Sequence, residues 1–320
     1  MPEPRRLPTT PRADQLARLV DRIAPGARVV RTRRLPGGLS CRMDMVEVER
    51  EDGERRKYTL RRFASPRSTP ERVEIEYRVI ELVAREGIAA PCPVLLDAEG
   101  QLFGAPAIVL SYLPGRPVFP RQNIEPWIKG LAAAVLTVHA VTPDRVGLSA
   151  LEIRASERAR NEIDRFDGAA SRDRLIGDVQ QAAQSALGRI EFGRRALIHD
   201  DFWPGNTIWH AGQLTGIVDW SSAKVGDPRE DIAQCRVDLM FSHDLSVADA
   251  FRTAYESQSG YDLRQLWFFD LIRSVPALIK TEYWLRGYHD LGLRHLTVEA
   301  VAGRLRHFVQ RALSRSLDEA

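Results

Sequence analysis

ALIHDDFWPGNTIWHAGQLTGIVDWSSAKVGDPREDIA, residues 196–233, is the stretch that decides the fold of this chain. It holds His199, Asp201 and Asn206 in the pattern H-x-D-x-x-x-x-N, and Asp219 follows inside the sequence IVDW. The two acids and the amide supply hard oxygen ligands. Such ligands, when few, suit Mg²⁺ that is held jointly by protein and phosphate groups. The stretch therefore indicates a phosphoryl-transfer site.

The same stretch is predicted to fold as a hairpin. Residues 210–213, HAGQ, are typical of a tight turn between two short strands, residues 207–209 and 214–218. Folding about this turn is expected to bring Asn206 opposite Asp219. A carboxylate and an amide oxygen would then converge on one point.

Charge narrows the range of partners. The chain has 320 residues and a net charge of +3, which argues against dedicated nucleic-acid binding. Between His199 and Asp270, however, twelve Asp and Glu stand against five Lys and Arg. This acidic region favours a cationic small-molecule substrate, or it is a solvated face combined with metal ligands. The sequence leaves both interpretations open.

Cysteine usage and hydropathy indicate a cytoplasmic protein. Cys41, Cys92 and Cys235 are far apart and form no C-x-x-C pair, which fits a reducing compartment. Residues 1–15 lack the apolar core of a signal peptide, and the most apolar stretch, residues 131–141, is too short to cross a bilayer. We expect no membrane association and find no sign of an obligate protein partner.

The pattern of apolar residues divides the chain into three parts. Residues 1–27 form a leader with a short helix, residues 28–112 a small sheet-rich part, and residues 113–320 a mainly helical part. The predicted strands of the middle part are residues 28–35, 41–49, 56–63 and 104–115. The predicted helices of the last part are residues 125–140, with Pro126 at the first helical position, 151–166, 173–190, 231–241, 246–258, 262–287, kinked or divided at Pro276, and 297–317.

Two segments of the middle part offer backbone groups to a nucleotide. Gly37, Gly38 and Ser40 lie in a turn between the first two strands, where backbone amides approach phosphate oxygens without obstruction from side chains. Near Ser111 and Leu113 the last strand ends, and the connector there offers N–H and C=O groups to a purine edge. A Gly-Gly turn is also common in ordinary hairpins, so this signal is weak by itself.

A buried ion pair is predicted between a strand and a helix. Period-2 alternation places Arg61 on one face of its strand with Thr59 and Phe63. The next helix begins after Thr69, and Glu76 falls near the centre of its apolar arc. A carboxylate is costly there unless it is paired, and Arg61 is the natural partner.

Taken in order, these segments resemble the aminoglycoside phosphotransferase and choline-kinase-like family, relatives of the protein kinases. The family's catalytic loop resembles residues 199–206, its metal-binding aspartate resembles Asp219 in IVDW, and its G-D-P-x-x-D pattern resembles residues 226–231. Its phosphate turn, third strand and helix-C glutamate resemble residues 37–40, residues 58–61 and Glu76. The resemblance implies an α+β fold with two lobes, a small antiparallel-sheet lobe and a larger mainly helical one.

The resemblance also implies an activity, an ATP-dependent small-molecule kinase that phosphorylates a hydroxyl of an aminoglycoside-like or other hydroxylated acceptor. Asp201 is then the catalytic base, and Asn206 and Asp219 hold Mg²⁺ against the phosphates. Arg61, fixed by Glu76, contacts the α- and β-phosphates. His199 and Asp231 support the catalytic loop. The implied cofactors are ATP and Mg²⁺, and a role in antibiotic resistance is one expectation.

The sequence departs from the family pattern at two positions. Asp200 stands where many members have glycine, and the spacing to Asn206 selects Asp201 as the base. Arg61 stands where protein kinases have lysine, and a guanidinium binds phosphate as a fork rather than as a point charge. Asp227 and Glu230 are assigned to a helix start and not to catalysis.

Other functions remain open from the sequence. A non-catalytic nucleotide-binding regulator of the same fold would not need Asp201, Asn206 and Asp219 together. A metal-dependent hydrolase would need no Arg61–Glu76 pair. Within the kinase reading, a choline-like amine, a sugar or a macrolide is an alternative acceptor. Protein-kinase activity is disfavoured because no A-P-E-type segment follows Asp219.

Overall fold

The computed structural model describes residues 10–35, 41–63, 68–147, 151 and 155–318. The chain divides into two compact units. The first comprises Met1–Pro114 with Thr215–Ser221, and the second comprises Gly115–Leu214 with Ser222–Ala320.

The first unit is built on a five-stranded antiparallel sheet of order β1-β2-β3-β5-β4. Its elements are α1 (Ala13–Ile23), β1 (Arg28–Arg34), β2 (Cys41–Glu49), β3 (Arg55–Phe63), α2 (Pro70–Arg85), β4 (Pro93–Asp97) and β5 (Ala107–Ser111). The first three strands and both helices lie where the sequence predicts them. Strand β4 was not predicted, because it begins at a proline, which suits an edge strand and weakens the strand pattern.

Strand β3 separates two environments. Leu60 packs with Leu19 and Val48 in an apolar cluster beneath α1. Arg61, the next residue, faces the opposite side and reaches Glu76 on α2. Because side chains alternate across a strand, one residue step separates the apolar core from the buried ion pair.

The second unit is mainly helical. Its helices are α3 (Ile124–His139), α4 (Pro143–Val146), α5 (Ala155–Asp164), α6 (Asp167–Ala170), α7 (Arg174–Ala186), α8 (Pro228–Ser242), α9 (Leu245–Ser259), α10 (Leu266–Ile279), α11 (Thr281–Asp290) and α12 (Val298–Asp318). Every residue of α8 is buried, so this helix is the centre around which the others pack. Its charged residues must therefore find partners inside the protein.

Short strands lie within residues 196–233. They are β6 (Ala196–Ile198), β7 (Thr207–His210), β8 (Gln213–Ile217) and β9 (Lys224–Gly226). Strand β6 pairs with β9 in antiparallel register, Leu197 opposite Val225. Ala211 and Gly212 both have positive φ, 49° and 79°, and form the two-residue turn between β7 and β8 that HAGQ predicts.

Two boundary predictions are corrected. Helix α3 begins at Ile124, so Pro126 is its third residue and not its first. The long helix predicted over residues 262–287 is not divided at Pro276, which lies inside α10. The break falls at Lys280, whose N–H still bonds to the Pro276 carbonyl at 3.0 Å. Of the helices described, none has the length and apolar character to cross a membrane.

Candidate active site

The loop that carries Asp201 is anchored by one buried carboxylate. Asp231, on α8, accepts hydrogen bonds from the backbone N–H groups of His199 at 2.8 Å and Asp200 at 2.6 Å. Its Oδ2 also lies 3.0 Å from His139 Nε2, and His139 Nδ1 lies 2.9 Å from the Tyr255 hydroxyl. Burial alone would raise the pKa of Asp231, but the contacts with His139 and His199 hold it below its ordinary value. Asp231 therefore stays charged and fixes the start of the loop.

Asp201 and Asn206 are neighbours within this loop. Asn206 Nδ2 donates to the Asp201 carboxylate at 3.0 Å and to its backbone carbonyl at 2.9 Å. Because the amide nitrogen is held this way, the amide oxygen is the end of Asn206 that remains suited to a cation. The contact also orients the carboxylate of Asp201.

Asp200 has the backbone conformation that explains the glycine of related sequences. Its φ is +63°, in the left-handed region that glycine and, less often, aspartate adopt. Its carboxylate contacts Lys224 on β9 and Arg273 on α10. Arg273 also donates to Glu230 at 3.1 Å, and Arg158 contacts the same Glu230. Asp200 thus belongs to a charge network with Lys224 and Arg273, and its carboxylate is engaged there.

This arrangement predicts an unusual order of stability for two variants at position 200. We expect the free energy of unfolding of Asp200→Gly to be about 1–2 kcal/mol higher than that of Asp200→Ala, because alanine is strained in the left-handed backbone conformation. Both variants lose the carboxylate between Lys224 and Arg273, so that loss cancels in the comparison. Urea denaturation of the two proteins measures the difference. Equal stability, or a more stable alanine variant, would contradict the strained backbone.

The first unit holds a second cluster, formed by Arg61, Glu76 and Asp219. Arg61 donates to Glu76 Oε1 at 2.5 Å and to Asp219 Oδ1 at 3.0 Å, and its guanidinium lies 5.3 Å from the Phe63 ring centre. The first contact is the ion pair that the helix pattern predicted. The second was not predicted. Asp219 has φ +67°, and backbone strain at an aspartate is typical of functional sites.

Burial and charge act against each other in this cluster. Burial raises the pKa of Glu76, and the Arg61 guanidinium lowers it. Burial would lower the pKa of Arg61, but Glu76, Cys41 and Asp219 together hold it well above the ordinary value. Arg61 is therefore a permanent cation with two carboxylates around it. In this structure the guanidinium stands where a cation would neutralise Asp219.

The ligand chemistry of these residues fits Mg²⁺. Asp219 offers carboxylate oxygen and Asn206 offers amide oxygen, both hard donors. Among the described residues, no three His, Cys, Asp or Glu side chains cluster as a complete metal site.

The remaining predicted nucleotide contacts divide into two groups. Gly37, Gly38 and Ser40 lie outside the described residues. Ser111 donates its N–H to the Cys92 carbonyl at 2.8 Å, and its hydroxyl accepts from the Cys92 N–H at 2.8 Å. Ser111 is thus engaged within the sheet. Leu113 lies in the connector just beyond β5. Of Ser111 and Leu113, it is the residue that we retain as a candidate nucleotide contact.

An aromatic wall adjoins the Asp201 loop. We use this name for Phe119, Trp203 and Tyr288, whose ring centres lie 5.0 to 6.4 Å apart. Tyr288 is stacked on Phe241 at 5.0 Å and donates its hydroxyl to the buried Asp238. Burial raises the pKa of Asp238 to about 6. Tyr288 is held from both sides, while Phe119 and Trp203 remain half-buried.

Most acids of the 199–270 region form ion pairs or hydrogen bonds within the protein. Several pair with arginines from other segments. They include Glu230 with Arg158 and Arg273, Asp249 with Arg236 and Arg311, and Asp270 with Arg236. Asp227 and Glu230 form the capping box predicted for α8. Five of the twelve acids are buried, and most of the others pair with cations, so the local negative charge does not by itself indicate a solvated face or a field for a cationic substrate.

Sequence reasoning missed the cationic side of this network. Arg158, Lys224 and Arg273 are distant from one another in the chain, and all reach Asp200 or Glu230. Two adjacent acids at positions 200 and 201 were one available signal, since one of them needs counter-charges. Nothing in the local pattern says which arginines supply them.

Comparison with known proteins gives the family and the fold. Residues 33–267 match the model of a family described as the phosphotransferase enzyme family. A homoserine kinase from Afipia carboxidovorans is 26% identical over 188 residues, which cover 54% of this chain and 55% of that protein. This chain thus spans about half the length of that curated relative.

Solved structures with the same fold include two phosphotransferases. The macrolide 2′-phosphotransferase of Brachybacterium faecium superposes with a TM-score of 0.62 at 20% identity, covering 91% of this chain and 98% of that one. An aminoglycoside phosphotransferase in complex with streptomycin and ATP gives a TM-score of 0.60 at 13% identity, covering 92% and 99%. These likenesses show the fold alone. The predicted α+β, protein-kinase-like fold class and the predicted family are confirmed.

Proposed function

Because the chain belongs to the phosphotransferase enzyme family, we propose that it transfers the γ-phosphoryl group of ATP to a hydroxyl group of a small molecule. One observation carries the proposal. Asp201 lies beside Asn206 on a loop whose backbone is anchored by the buried Asp231. In phosphoryl transfer, a fixed carboxylate can act as the base, and a neighbouring amide oxygen can bind the metal ion.

Asp201 is the base in this proposal. Its carboxylate orients the acceptor hydroxyl and takes the proton as the hydroxyl oxygen forms its bond to the γ-phosphorus. The bond from that phosphorus to the β,γ-bridging oxygen breaks, and ADP leaves with the electron pair. Positioning supplies much of the rate in this chemistry, which is why a rigid loop matters.

Asn206 and Asp219 are the proposed ligands of Mg²⁺. The bound ion would neutralise charge on the phosphate oxygens. Arg61, held by Glu76 at 2.5 Å, is the proposed cation for the α- and β-phosphates. An arginine presents two parallel N–H donors to a phosphate, so it supplies direction as well as charge. Gly37, Gly38, Ser40 and Leu113 complete the proposed nucleotide contacts.

The acceptor is a hydroxylated small molecule. Similar proteins are named for homoserine and macrolides, or bind streptomycin, so antibiotic inactivation and primary metabolism are both open roles. ATP as donor and free cysteines support a cytoplasmic location for the proposed reaction.

A coupled assay of ADP release tests the function. Purified protein with Mg·ATP is screened against aminoglycosides, macrolides, hydroxy amino acids, sugars and choline-like alcohols, and mass spectrometry locates the added phosphate. We expect acceptor-dependent ADP release with at least one class. Tight Mg·ATP binding without ADP release across the panel would identify a non-catalytic nucleotide-binding protein instead.

A further inference from the structure

A group of basic side chains adjoins the aromatic wall. We call Arg121, His243, His295 and Arg304 the basic cluster. Phe119, a member of the wall, is followed by Pro120, whose carbonyl accepts a hydrogen bond from His243 Nε2 at 2.8 Å. Arg121 comes next and contacts the ring of His295. The cluster is thus attached to the wall by the chain itself.

Backbone carbonyls, and not acids, hold the arginine of α12 in the cluster. Arg304 donates to the Phe241 carbonyl at 2.8 Å and contacts the carbonyl of His243. Phe241 is the ring on which Tyr288 stacks, so Arg304 lies close to the aromatic wall. Its buried Nε has no hydrogen-bond partner among the described residues.

No acid within the described residues forms an ion pair with Arg121 or Arg304 at 4 Å or less. The nearby Asp244 is engaged as the cap of α9, accepting from the Ser246 N–H at 2.9 Å. This contrasts with the rest of the unit, where Arg158, Arg236 and Arg273 each contact at least one buried carboxylate. The cluster is therefore short of negative charge.

The titration of the cluster agrees with this shortage. Burial lowers the pKa of His243, and Arg121 and Arg304 lower it further, while Pro120 and Asp244 act in the opposite direction. Burial, Arg121, Arg304 and His289 lower the pKa of His295. Burial and Arg121 lower the pKa of Arg304, against Asp244 and Tyr288. Like charges that depress each other in this way are relieved when an anion binds.

We propose that the basic cluster is an anion-binding subsite, and that it selects acceptors carrying a carboxylate or phosphate group next to an apolar segment that packs on the aromatic wall. This inference rests on the proposed kinase function and names the acceptor class of that site. Arg121 and Arg304 are the anion-binding residues. Trp203, two residues after Asp201, connects the wall to the loop that carries the base.

Matched acceptors test the subsite. Hydroxy acids are compared with their carboxamides, and phosphorylated alcohols with the same diols without the phosphate, in the ADP-release assay. We expect the anionic member of at least one pair to have a KM at least tenfold lower. The R121Q and R304Q variants should raise that KM about ten- to a hundredfold with little change in kcat, because each removes a charged hydrogen bond. The two kinds of pair show which anion is preferred.

Two control variants and the exposure of Arg121 separate binding from folding. R286Q removes an exposed arginine that pairs with Glu282 at 3.7 Å on α11, and it should leave KM unchanged. Arg121 is exposed, so R121Q does not threaten the fold. R304K keeps the charge and should recover part of the affinity lost in R304Q.

A second readout does not depend on turnover. Succinate or inorganic phosphate, neither of which offers a hydroxyl acceptor on carbon, is titrated while the ring signals of His243 and His295 are followed by NMR. Shifts that R121Q abolishes support the subsite even if no acceptor turns over, in which case the kinase function fails by itself. Turnover without preference for anionic acceptors, or insensitive to R121Q and R304Q, overturns the subsite and leaves the kinase function. If neither acceptor turnover nor NMR shifts are observed, both the subsite and the kinase function are overturned.

Discussion

Replacing Asp201 with asparagine is expected to lower kcat by a factor of about 10²–10⁴. The substitution keeps the shape of the side chain and removes the carboxylate that takes the acceptor proton. Asn206 lies 3.0 Å from that carboxylate, so the loop should keep its conformation. Binding of Mg·ATP, measured by calorimetry, should change little because Asp201 is not assigned to the nucleotide. The kcat of the preferred acceptor in the ADP-release assay measures the effect.

The matched control is Asp262→Asn. Asp262 is exposed and pairs with Arg264 at 2.6 Å, outside the loops of the proposed site. The same chemical change there should leave kcat as it is. Full turnover by Asp201→Asn would remove the base assignment. Asp200 could not take over easily, since its carboxylate already contacts Lys224 and Arg273.

Local patterns predicted the parts of the site that depend on neighbours in the chain. The H-x-D-x-x-x-x-N spacing selects Asp201 and not Asp200 as the proposed base, and the two residues differ in their contacts. Asp200 takes the left-handed conformation, with φ +63°, and directs its carboxylate into a charge network. Likewise, Asp227 and Glu230 form a capping box because that motif needs only residues three apart.

The pairing of distant charges was less predictable. Arg61 and Glu76 could be paired in advance because each lay on the apolar side of an amphipathic element, and a buried charge demands a partner. The Arg61–Asp219 contact joins residues 158 apart and carries no such signal. The same is true of Arg158 and Arg273, which neutralise Glu230. Net charge along a segment does not show which of its charges are buried and paired.

Replacing Arg61 with methionine is expected to lower the free energy of unfolding by about 3–5 kcal/mol. The side chains of Arg61 and Glu76 are only 6% and 4% exposed, so the variant leaves a buried carboxylate without its cation. Asp219 also loses a contact, but its side chain is 39% exposed and regains water. Urea denaturation at pH 8 measures the loss.

A surface pair of equal length is the control for Arg61→Met. Arg78 and Glu74 are also 2.5 Å apart, but their side chains are 57% and 44% exposed. Arg78→Met should cost at most about 1 kcal/mol, since exposed ion pairs contribute little. Similar losses for the two variants would show that burial does not set the strength of the Arg61–Glu76 contact.

The loss in Arg61→Met should also depend on pH, with a sign fixed by Glu76. Burial raises the pKa of Glu76, and Arg61 opposes that rise. Without Arg61 the folded-state pKa rises further above the unfolded value of about 4.3, so the folded variant takes up a proton as the pH falls. The destabilisation by the unpaired Glu76 carboxylate is therefore complete above the folded-state pKa of Glu76. It disappears as the pH falls towards the unfolded-state pKa. The stability difference from wild type should shrink between pH 8 and pH 5, and a constant difference would mean that a neutral packing defect, and not the unpaired carboxylate, destabilises the variant.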